Sequence, residues 1–261
     1  MHPNVNLSTN KKIYFASDFH LGAPNEIESF KREKKIVAWL DEIKTDAQVI
    51  FLVGDLFDFW FEYKRTIPKG FSRLFGKLAE LSDAGIELKI FSGNHDMWMA
   101  DYFEKEFGAT VYHKPQEFVF SKRTFYIGHG DGLGPGDEAY KWLKRLLFNN
   151  PICTFLFGRV MHPNLGMALG NLWSLSSWKK NRSEDKTKEQ IDIKKEFLYQ
   201  YALGIENSGD SHDFYIFGHR HIAIETAVTK TSKYINLGDW IRFDSYAVFD
   251  GHELKLVFHK S

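Results

Sequence analysis

This sequence has a single cysteine, no long apolar run and a formal net charge of zero. The one cysteine, Cys153, excludes an internal disulfide framework and is typical of a reducing compartment. There is no run of 18 consecutive apolar residues, so no membrane-spanning helix is predicted. Residues 1–10 are polar and lack an apolar stretch, so we expect no secretory signal. These absences together predict a cytoplasmic protein.

The formal net charge is zero, with 34 basic and 34 acidic residues, but the charges are unevenly distributed. Residues 139–183 carry no acidic residue, and from Leu146 to Trp178 Arg159 is the one fixed charge. This stretch is consistent with a buried helical hairpin or with a surface for an anionic amphiphile, and the two are compatible. The rest of the chain is acidic, so we expect no nucleic-acid partner. The basic residues of the stretch are Lys141, Lys144, Arg145, Arg159, Lys179, Lys180 and Arg182.

Five short motifs combine Asp, His or Asn with a glycine or with the end of an apolar run. Each motif alone has an ordinary explanation, such as a turn after a strand, but the set predicts a binuclear metal site. Imidazole with carboxylate suits Mn, Fe or Zn. Two metals that share an oxygen ligand are a means of hydrolysing phosphate esters. The motifs are Asp18-Phe19-His20, Gly54-Asp55, Gly93-Asn94-His95-Asp96, Gly128-His129-Gly130-Asp131 and Gly218-His219-Arg220-His221.

The first half of the chain alternates apolar strands with helices of 3.6-residue spacing. The order predicts parallel strands joined by crossover helices. Ligands collect at the carboxyl ends of the strands in such sheets, and three of the five motifs follow a predicted strand. The predicted strands are 12–16, 49–53 and 87–91, and the predicted helices are 29–43 and 71–81.

The second half changes character after the glycine-rich loop at residues 132–136. Residues 165–173 have an apolar helical face, and an amphipathic helix over 191–203 should return the chain to the core. Turn residues such as Asp250-Gly251 favour meander pairing of the strands that follow. Those strands are predicted at 214–217, 222–228, 234–237, 246–249 and 254–258.

The order of the five motifs resembles the calcineurin-like metallophosphoesterases. The resemblance implies an α/β fold, a four-layer αββα sandwich with two mixed sheets face to face and helices outside. Residues 1–134 and 206–261 would form this core, and residues 135–205 a helical insertion, or lid.

The same resemblance implies two divalent metal ions, with Mn²⁺ as the first choice and Fe or Zn as alternatives. His95 would be the general acid or transition-state stabiliser, oriented by Asp96, and Asp131 could orient a ligand. Asp55 would bridge the two metals. The first metal would be held by Asp18, His20, Asp55 and His221, and the second by Asp55, Asn94, His129 and His219.

Longer segments are similar to the UDP-2,3-diacylglucosamine diphosphatase family of lipid A biosynthesis: residues 18–22, 54–60, 129–131 and 237–240. That family carries a helical insertion where this chain has its apolar, basic stretch. The resemblance implies hydrolysis of UDP-2,3-diacylglucosamine to UMP and 2,3-diacylglucosamine 1-phosphate. It implies an insertion that holds acyl chains, and a peripheral protein on the inner face of the cytoplasmic membrane, with no obligate protein partner. Candidate phosphate or sugar contacts are Lys179, Lys180 and Arg182.

His95 departs from this narrower family, in which Arg is frequent at the same position. A diphosphate expels a phosphate, which is a good leaving group, so an Arg suffices there. A His is also compatible with a poorer leaving group. Two alternatives therefore stay open: another two-metal phosphodiesterase, acting on a cyclic nucleotide or other phosphodiester, and a non-catalytic protein-binding scaffold. The apolar insertion argues against a soluble substrate, and the complete ligand set argues against a scaffold.

Overall fold

The computed structural model describes residues 6–134, 150, 153, 155–157, 161–170 and 192–260. Its helices include α1 (Glu26–Ile43), α2 (Ser72–Asp83), α3 (Tyr102–Phe107) and α4 (Phe197–Ser208). Residues 163–170 are also helical and are called here the insertion helix. The strands are β1 (Lys12–Ala16), β2 (Ala47–Val53), β3 (Glu87–Phe91), β4 (Thr110–Tyr112), β5 (Gln116–Phe120), β6 (Arg123–Gly128), β7 (Phe214–Phe217), β8 (Ala223–Ala227), β9 (Lys233–Leu237), β10 (Ser245–Phe249) and β11 (Leu254–Phe258).

The strands form two mixed sheets. The first has the order β11-β10-β1-β2-β3-β4, and the second has the order β5-β6-β7-β9-β8. Strands β1 to β4 are parallel, as the strand–helix alternation predicts. The meander prediction holds for the hairpin β10-β11 and the pair β8-β9. It is wrong for β7, which lies parallel to both β6 and β9, because β8 turns away to the edge of the sheet.

Phenylalanine side chains fill the space between the two sheets. Phe15 and Phe51 of the first sheet stack at 5.0 Å, and Phe125 of the second sheet stacks on Phe15 at 6.1 Å. On the outer face of the first sheet, α1 and α2 pack on a second core that includes Trp39. The other outer face is covered by α4. These layers confirm the αββα sandwich, and they account for much of the high aromatic content.

Helix α2 spans 72–83 where 71–81 was predicted, and the other two core helices differ more from their predicted bounds. Helix α1 begins at Glu26 rather than at residue 29, because the Asn25 side chain caps it by accepting from Glu28 N at 3.0 Å. Helix α4 extends to Ser208 and packs on β7 and β9 through the fully buried Leu198. The predicted boundary between insertion and core, at residues 205 and 206, therefore falls inside a core helix.

Candidate metal centre

The structure brings the five motifs to one place, at the carboxyl ends of β1, β2, β3, β6 and β7. Possible ligand atoms of Asp18, His20 and His221 all lie within 4.8 Å of one another, and so do those of Asp55, His129 and His219. Asn94 follows Gly93, whose backbone lies against the Asp55 carboxylate. All seven predicted ligands are therefore in one cluster, and five of them are buried: Asp18, His20, Asp55, Asn94 and His129.

Asp55 lies between the two groups of ligands. Its Oδ2 is 3.7 Å from His20 Nε2 in one group and 3.2 Å from His129 Nε2 in the other. Its Oδ1 accepts a hydrogen bond from the backbone N–H of His95 at 2.9 Å. One carboxylate oxygen therefore points to the space between the groups, which is the position that a bridging ligand requires.

Two buried polar atoms of this cluster make no hydrogen bond to the described residues. They are Asp18 Oδ1 and Asn94 Oδ1, and each belongs to a predicted ligand. Buried polar atoms are nearly always paired, so such a group calls for a partner. His20 Nε2 and His221 Nε2 also lie only 3.2 Å apart. A pair of divalent cations fits these donors, and the imidazole–carboxylate set suits Mn, Fe or Zn.

The electrostatics keep the carboxylates of the predicted ligands Asp18 and Asp55 ionised. Burial raises the pKa of Asp55, but the His129 and His95 imidazoles outweigh burial and hold that pKa well below its ordinary value. Burial lowers the pKa of His129, but the Asp55 carboxylate outweighs it and raises that pKa to about 10. Burial and the nearby His129 lower the pKa of His219 to about 4, so its imidazole is neutral. The ionised Asp55 and the neutral His219 are in the forms that bind metal, whereas a cation would have to displace the proton that the raised pKa leaves on His129.

The Nδ1 atoms of two predicted histidine ligands each lie beside a hydrogen-bond acceptor on the side of the ring away from the metal centre. His129 Nδ1 lies 2.9 Å from the Val53 carbonyl, and His221 Nδ1 lies 3.2 Å from Asp239 Oδ2. Acceptors of this kind set the ring orientation and direct Nε2 toward a metal. Asp239 was absent from the predicted site, although it lies in the 237–240 segment that carries the narrower resemblance.

The predicted pairing of Asp96 with His95 is corrected by the structure. Both Asp96 oxygens accept backbone N–H groups, from Leu56 at 2.7 Å and from Gly93 at 2.6 Å. His95 Nδ1 instead lies 2.8 Å from the carbonyl oxygen of Asp58. Asp58 therefore orients His95, whereas Asp96 shapes the loops that carry Asp55 and His95. The loop after β2 turns the Asp58 carbonyl toward the His95 ring. The sequence contains no pattern that predicts this backbone direction.

Most of the predicted ligands have an unusual backbone conformation. A positive φ is uncommon for residues with a side chain, and it clusters at functional sites. Neighbouring glycines leave the space that the ligands need: a Cβ at Gly54 would lie 2.5 Å from His129 Nδ1, and one at Gly218 would lie 2.5 Å from Asp18 Oδ2. The ligands with positive φ are Asp18 (56°), His20 (43°), Asp55 (53°), His219 (68°) and His221 (52°).

The family model of the calcineurin-like phosphoesterases matches residues 11–223. The chain belongs to the calcineurin-like phosphoesterase family. It is therefore a phosphohydrolase that works with divalent metal ions, and the buried cluster contains groups of Asp and His side chains of the kind that bind such ions.

Three curated relatives of this phosphoesterase share one name, UDP-2,3-diacylglucosamine hydrolase. The protein of Porphyromonas gingivalis is 40% identical over 264 residues, covering 94% of this chain and 96% of that protein. The protein of Pseudomonas paraeruginosa is 26% identical over 239 residues, covering 88% and 91%. The protein of Haemophilus influenzae is 27% identical over 246 residues, also covering 88% and 91%.

The predicted substrate contacts of this phosphoesterase, Lys179, Lys180 and Arg182, lie outside the described residues. Asp131, on the loop after β6, is close enough for its charge to act on both His129 and His219. In the described parts of the chain, no helix combines the length and the hydropathy needed to span a membrane.

Proposed function

We propose that this phosphoesterase hydrolyses the diphosphate of UDP-2,3-diacylglucosamine, with release of UMP and 2,3-diacylglucosamine 1-phosphate, as a step of lipid A biosynthesis. The observation that carries the proposal is the 40% identity to a UDP-2,3-diacylglucosamine hydrolase over 94% of this chain and 96% of the relative. An alignment of that extent includes the insertion as well as the core, and the insertion is the part expected to contact a lipid substrate.

The metal ligands in this proposal are the seven predicted residues, with Asp55 as the bridge and Mn²⁺ as the resident ion. The bound cations would activate a water molecule and neutralise phosphate charge. Support comes from the unpaired buried atoms of the cluster and from the Asp55 Oδ2 that faces both groups. The chain itself supplies rigid ligands, because Val53 and Asp239 hold the rings of His129 and His221 in place.

His95 suits a reaction with a good leaving group. Its Nδ1–H donates to the Asp58 carbonyl, and burial lowers the pKa of the ring, so the neutral ring leaves Nε2 without a proton. A neutral His95 has no proton to give a poor leaving group at pH 7. A diphosphate needs none, because the departing sugar phosphate is stable as an anion. The alternative of a phosphodiester with a poorer leaving group is less compatible with this arrangement.

The insertion offers apolar surface beside the metal centre. Among the described residues, its exposed large side chains are Phe155, Leu156, Leu165 and Leu169. The insertion helix packs on the core through Gly170, where a Cβ would lie 2.5 Å from the Phe59 ring. Phe59 follows Asp58, so this contact joins the insertion to the loop that orients His95. We propose that the exposed leucines bind acyl chains or the surface of the cytoplasmic membrane.

The remaining parts of the proposal rest on the sequence. Lys179, Lys180 and Arg182 would contact the phosphates or the sugar. The protein would be cytoplasmic and peripheral on the inner face of the cytoplasmic membrane, without a nucleic-acid or obligate protein partner.

The deciding experiment is hydrolysis of UDP-2,3-diacylglucosamine with Mn²⁺, beside bis-p-nitrophenyl phosphate as a generic diester. Fast, metal-dependent release of UMP with feeble diester cleavage is the expected result. Efficient diester cleavage without UMP would retain the two-metal chemistry and reject the substrate.

A further inference from the structure

We propose that Arg32 is a positioning residue, which holds the His20 peptide in the orientation that the first metal requires. Arg32 lies on α1 and is only 5% exposed. A side chain buried to this extent acts on the ligand loop from behind and does not meet a substrate. Because it acts through His20, this role rests on the proposed ligand set of the first metal.

Arg32 Nη2 donates to two carbonyl oxygens of the loop after β1. One belongs to His20, at 2.7 Å, and the other belongs to Ala23. A guanidinium is planar and always charged, so it can fix the directions of both carbonyls at once. The contact falls where the backbone is unusual, because His20 has a φ of 43°. A residue with a side chain keeps such a conformation only when its surroundings fix it.

The His20 loop is held from two sides. On the β2 side, His20 N donates to the Asp55 carbonyl at 3.0 Å. On the α1 side the contacts come from side chains, since Ser29 Oγ accepts from Gly22 N at 2.7 Å and Arg32 binds the carbonyls. Of these two side chains, Arg32 is the one that contacts the ligand residue itself. Loss of Arg32 therefore frees one side of the His20 peptide.

A turn of the His20 peptide would reach several groups of the centre. The His20 ring stacks on His221 with centroids 4.8 Å apart, and it meets the His95 ring edge to face at 4.9 Å. Its Nε2 lies 3.7 Å from Asp18 Oδ1 and 3.7 Å from Asp55 Oδ2. Metal–ligand distances tolerate shifts of only about 0.2 Å, so we expect a small rotation of His20 to weaken the first metal.

The charge of Arg32 would act on a metal in the opposite direction. Burial lowers the pKa of Arg32, and the Asp58 and Asp239 carboxylates offset this only in part, but a guanidinium stays protonated at neutral pH. A cation close to the centre repels a metal ion. Removal of the charge alone would therefore strengthen Mn²⁺ binding, whereas removal of the positioning contact would weaken it. The sign of the change separates the two effects.

The test is titration of the metal-free, full-length protein with Mn²⁺, with the free ion measured by electron paramagnetic resonance. Wild type should bind two ions per chain. Arg32→Gln should weaken one of them by roughly 10–100-fold, as is typical for residues that orient a ligand. Added to Asn94→Ala, which removes a second-metal ligand, Arg32→Gln should weaken the remaining ion. Added to Asp18→Ala, which removes a first-metal ligand, it should have little further effect.

Two further variants control for charge and for general loss of structure. Arg32→Lys keeps the charge but lacks the planar fork, so it should lose less affinity than Arg32→Gln. Lys35→Gln removes a cation from the same helix, where Lys35 Nζ lies 2.7 Å from Asp244 Oδ1, and should bind both ions normally. The rise in melting temperature on addition of Mn²⁺ should be smaller in Arg32→Gln than in Lys35→Gln, whatever the stability of each metal-free protein.

Equal or tighter binding of both ions by Arg32→Gln would overturn the positioning role and leave the ligand set intact, because wild type would still bind two ions. Fewer than two ions in wild type would reject the ligand set and this role with it. If Arg32→Gln does not fold, Arg32→Lys decides, and wild-type Mn²⁺ affinity in that variant would overturn the role.

Discussion

The Arg220 guanidinium is bound to the buried Glu196 carboxylate, with Arg220 Nε 3.0 Å from Glu196 Oε1. Arg220 stands between His219 and His221, one predicted ligand of each metal. The other oxygen of Glu196 caps α4 by accepting from Tyr199 N at 2.7 Å, and it also accepts from the Tyr234 hydroxyl at 3.0 Å. One carboxylate therefore connects the start of α4, the second sheet and the ligand-bearing loop.

We expect Glu196→Gln to weaken metal binding although Glu196 touches no metal. The variant keeps the size of the side chain but loses the charge that holds Arg220, so the Mn²⁺ affinity should fall roughly tenfold. The free energy of unfolding should fall by about 1–2 kcal/mol. Mn²⁺ titration and urea denaturation measure the two effects. Glu225→Gln, at a glutamate paired with Lys233 on the second sheet, is the matched control and should bind Mn²⁺ normally. Wild-type Mn²⁺ affinity in Glu196→Gln would show that this connection does not support the centre.

Asp55→Ala removes the carboxylate between the two groups of ligands. Turnover should fall to background, because Asp55 is the one carboxylate among the described residues that lies between both groups of ligands. The fold should remain, since Asp55 lies on a loop after β2 and not in the core. Circular dichroism, metal content and UMP release give the three readouts together. Retained activity in a folded Asp55→Ala protein would contradict the two-metal arrangement.

Asp213 makes stability depend on pH at a place far from the metals. Burial raises its pKa, but hydrogen bonds from Thr124 and Arg123 outweigh burial and lower it. Asp213 Oδ2 accepts from Thr124 N at 2.8 Å, and Oδ1 pairs with Arg123 at 2.8 Å. Because the folded pKa is lowered, the stabilisation is present above the unfolded value of about 3.9 and is lost as the pH falls through the folded value.

Asp213→Asn should therefore lower the free energy of unfolding by about 1–2 kcal/mol at pH 7. The difference from wild type should shrink below about pH 4. Urea denaturation of both proteins at pH 7 and at several pH values down to 3 measures this difference in the free energy of unfolding. Asp101→Asn, which breaks an exposed ion pair with Lys105, is the control and should change stability by less than about 1 kcal/mol. A difference that is the same at every pH would argue against ionised Asp213 as its source.

The exposed leucines of the insertion helix give a test of lipid recognition. Leu165→Asp with Leu169→Asp should raise the KM for UDP-2,3-diacylglucosamine by about 100-fold or more, because about 1.5–3 kcal/mol of apolar contact is lost for each leucine that a substrate buries. Cleavage of bis-p-nitrophenyl phosphate should not change. Ile27→Asp, at a residue of α1 that is 69% exposed, is the control on the core. An unchanged KM in the double variant would place the acyl chains elsewhere.

The elements that the sequence predicted well are those with a strong apolar period. Strands β1, β3, β7 and β11 have the predicted bounds. The segment from α3 to β6 was missed, and the structure shows why. Helix α3 has only six residues and β4 only three, which is too short for a periodic pattern. The β5-β6 hairpin turns at Ser121 and Lys122 with φ of 49° and 66°, without the glycine or asparagine that usually indicates such a turn.

The ligand motifs were predictable because each one follows a strand and parallel strands bring their ends together. The residues that orient the ligands were not. Asp58 acts on His95 through its carbonyl oxygen, and any residue type could supply that atom. Asp239 reaches His221 across a loop, and Arg32 donates from α1 to the His20 carbonyl at 2.7 Å. Contacts of this kind depend on tertiary packing, for which a local sequence pattern contains no information.

The left-handed backbone conformation of five predicted ligands lowers the stability of the fold, but the metal centre requires those residues. A residue with a side chain costs about 1–2 kcal/mol more than glycine in that conformation. Replacement of His20 or His221 by glycine should therefore relieve the backbone of the metal-free chain while it destroys the centre. In a laboratory selection for heat resistance that does not require activity, we expect these two histidines to be among the first site residues replaced.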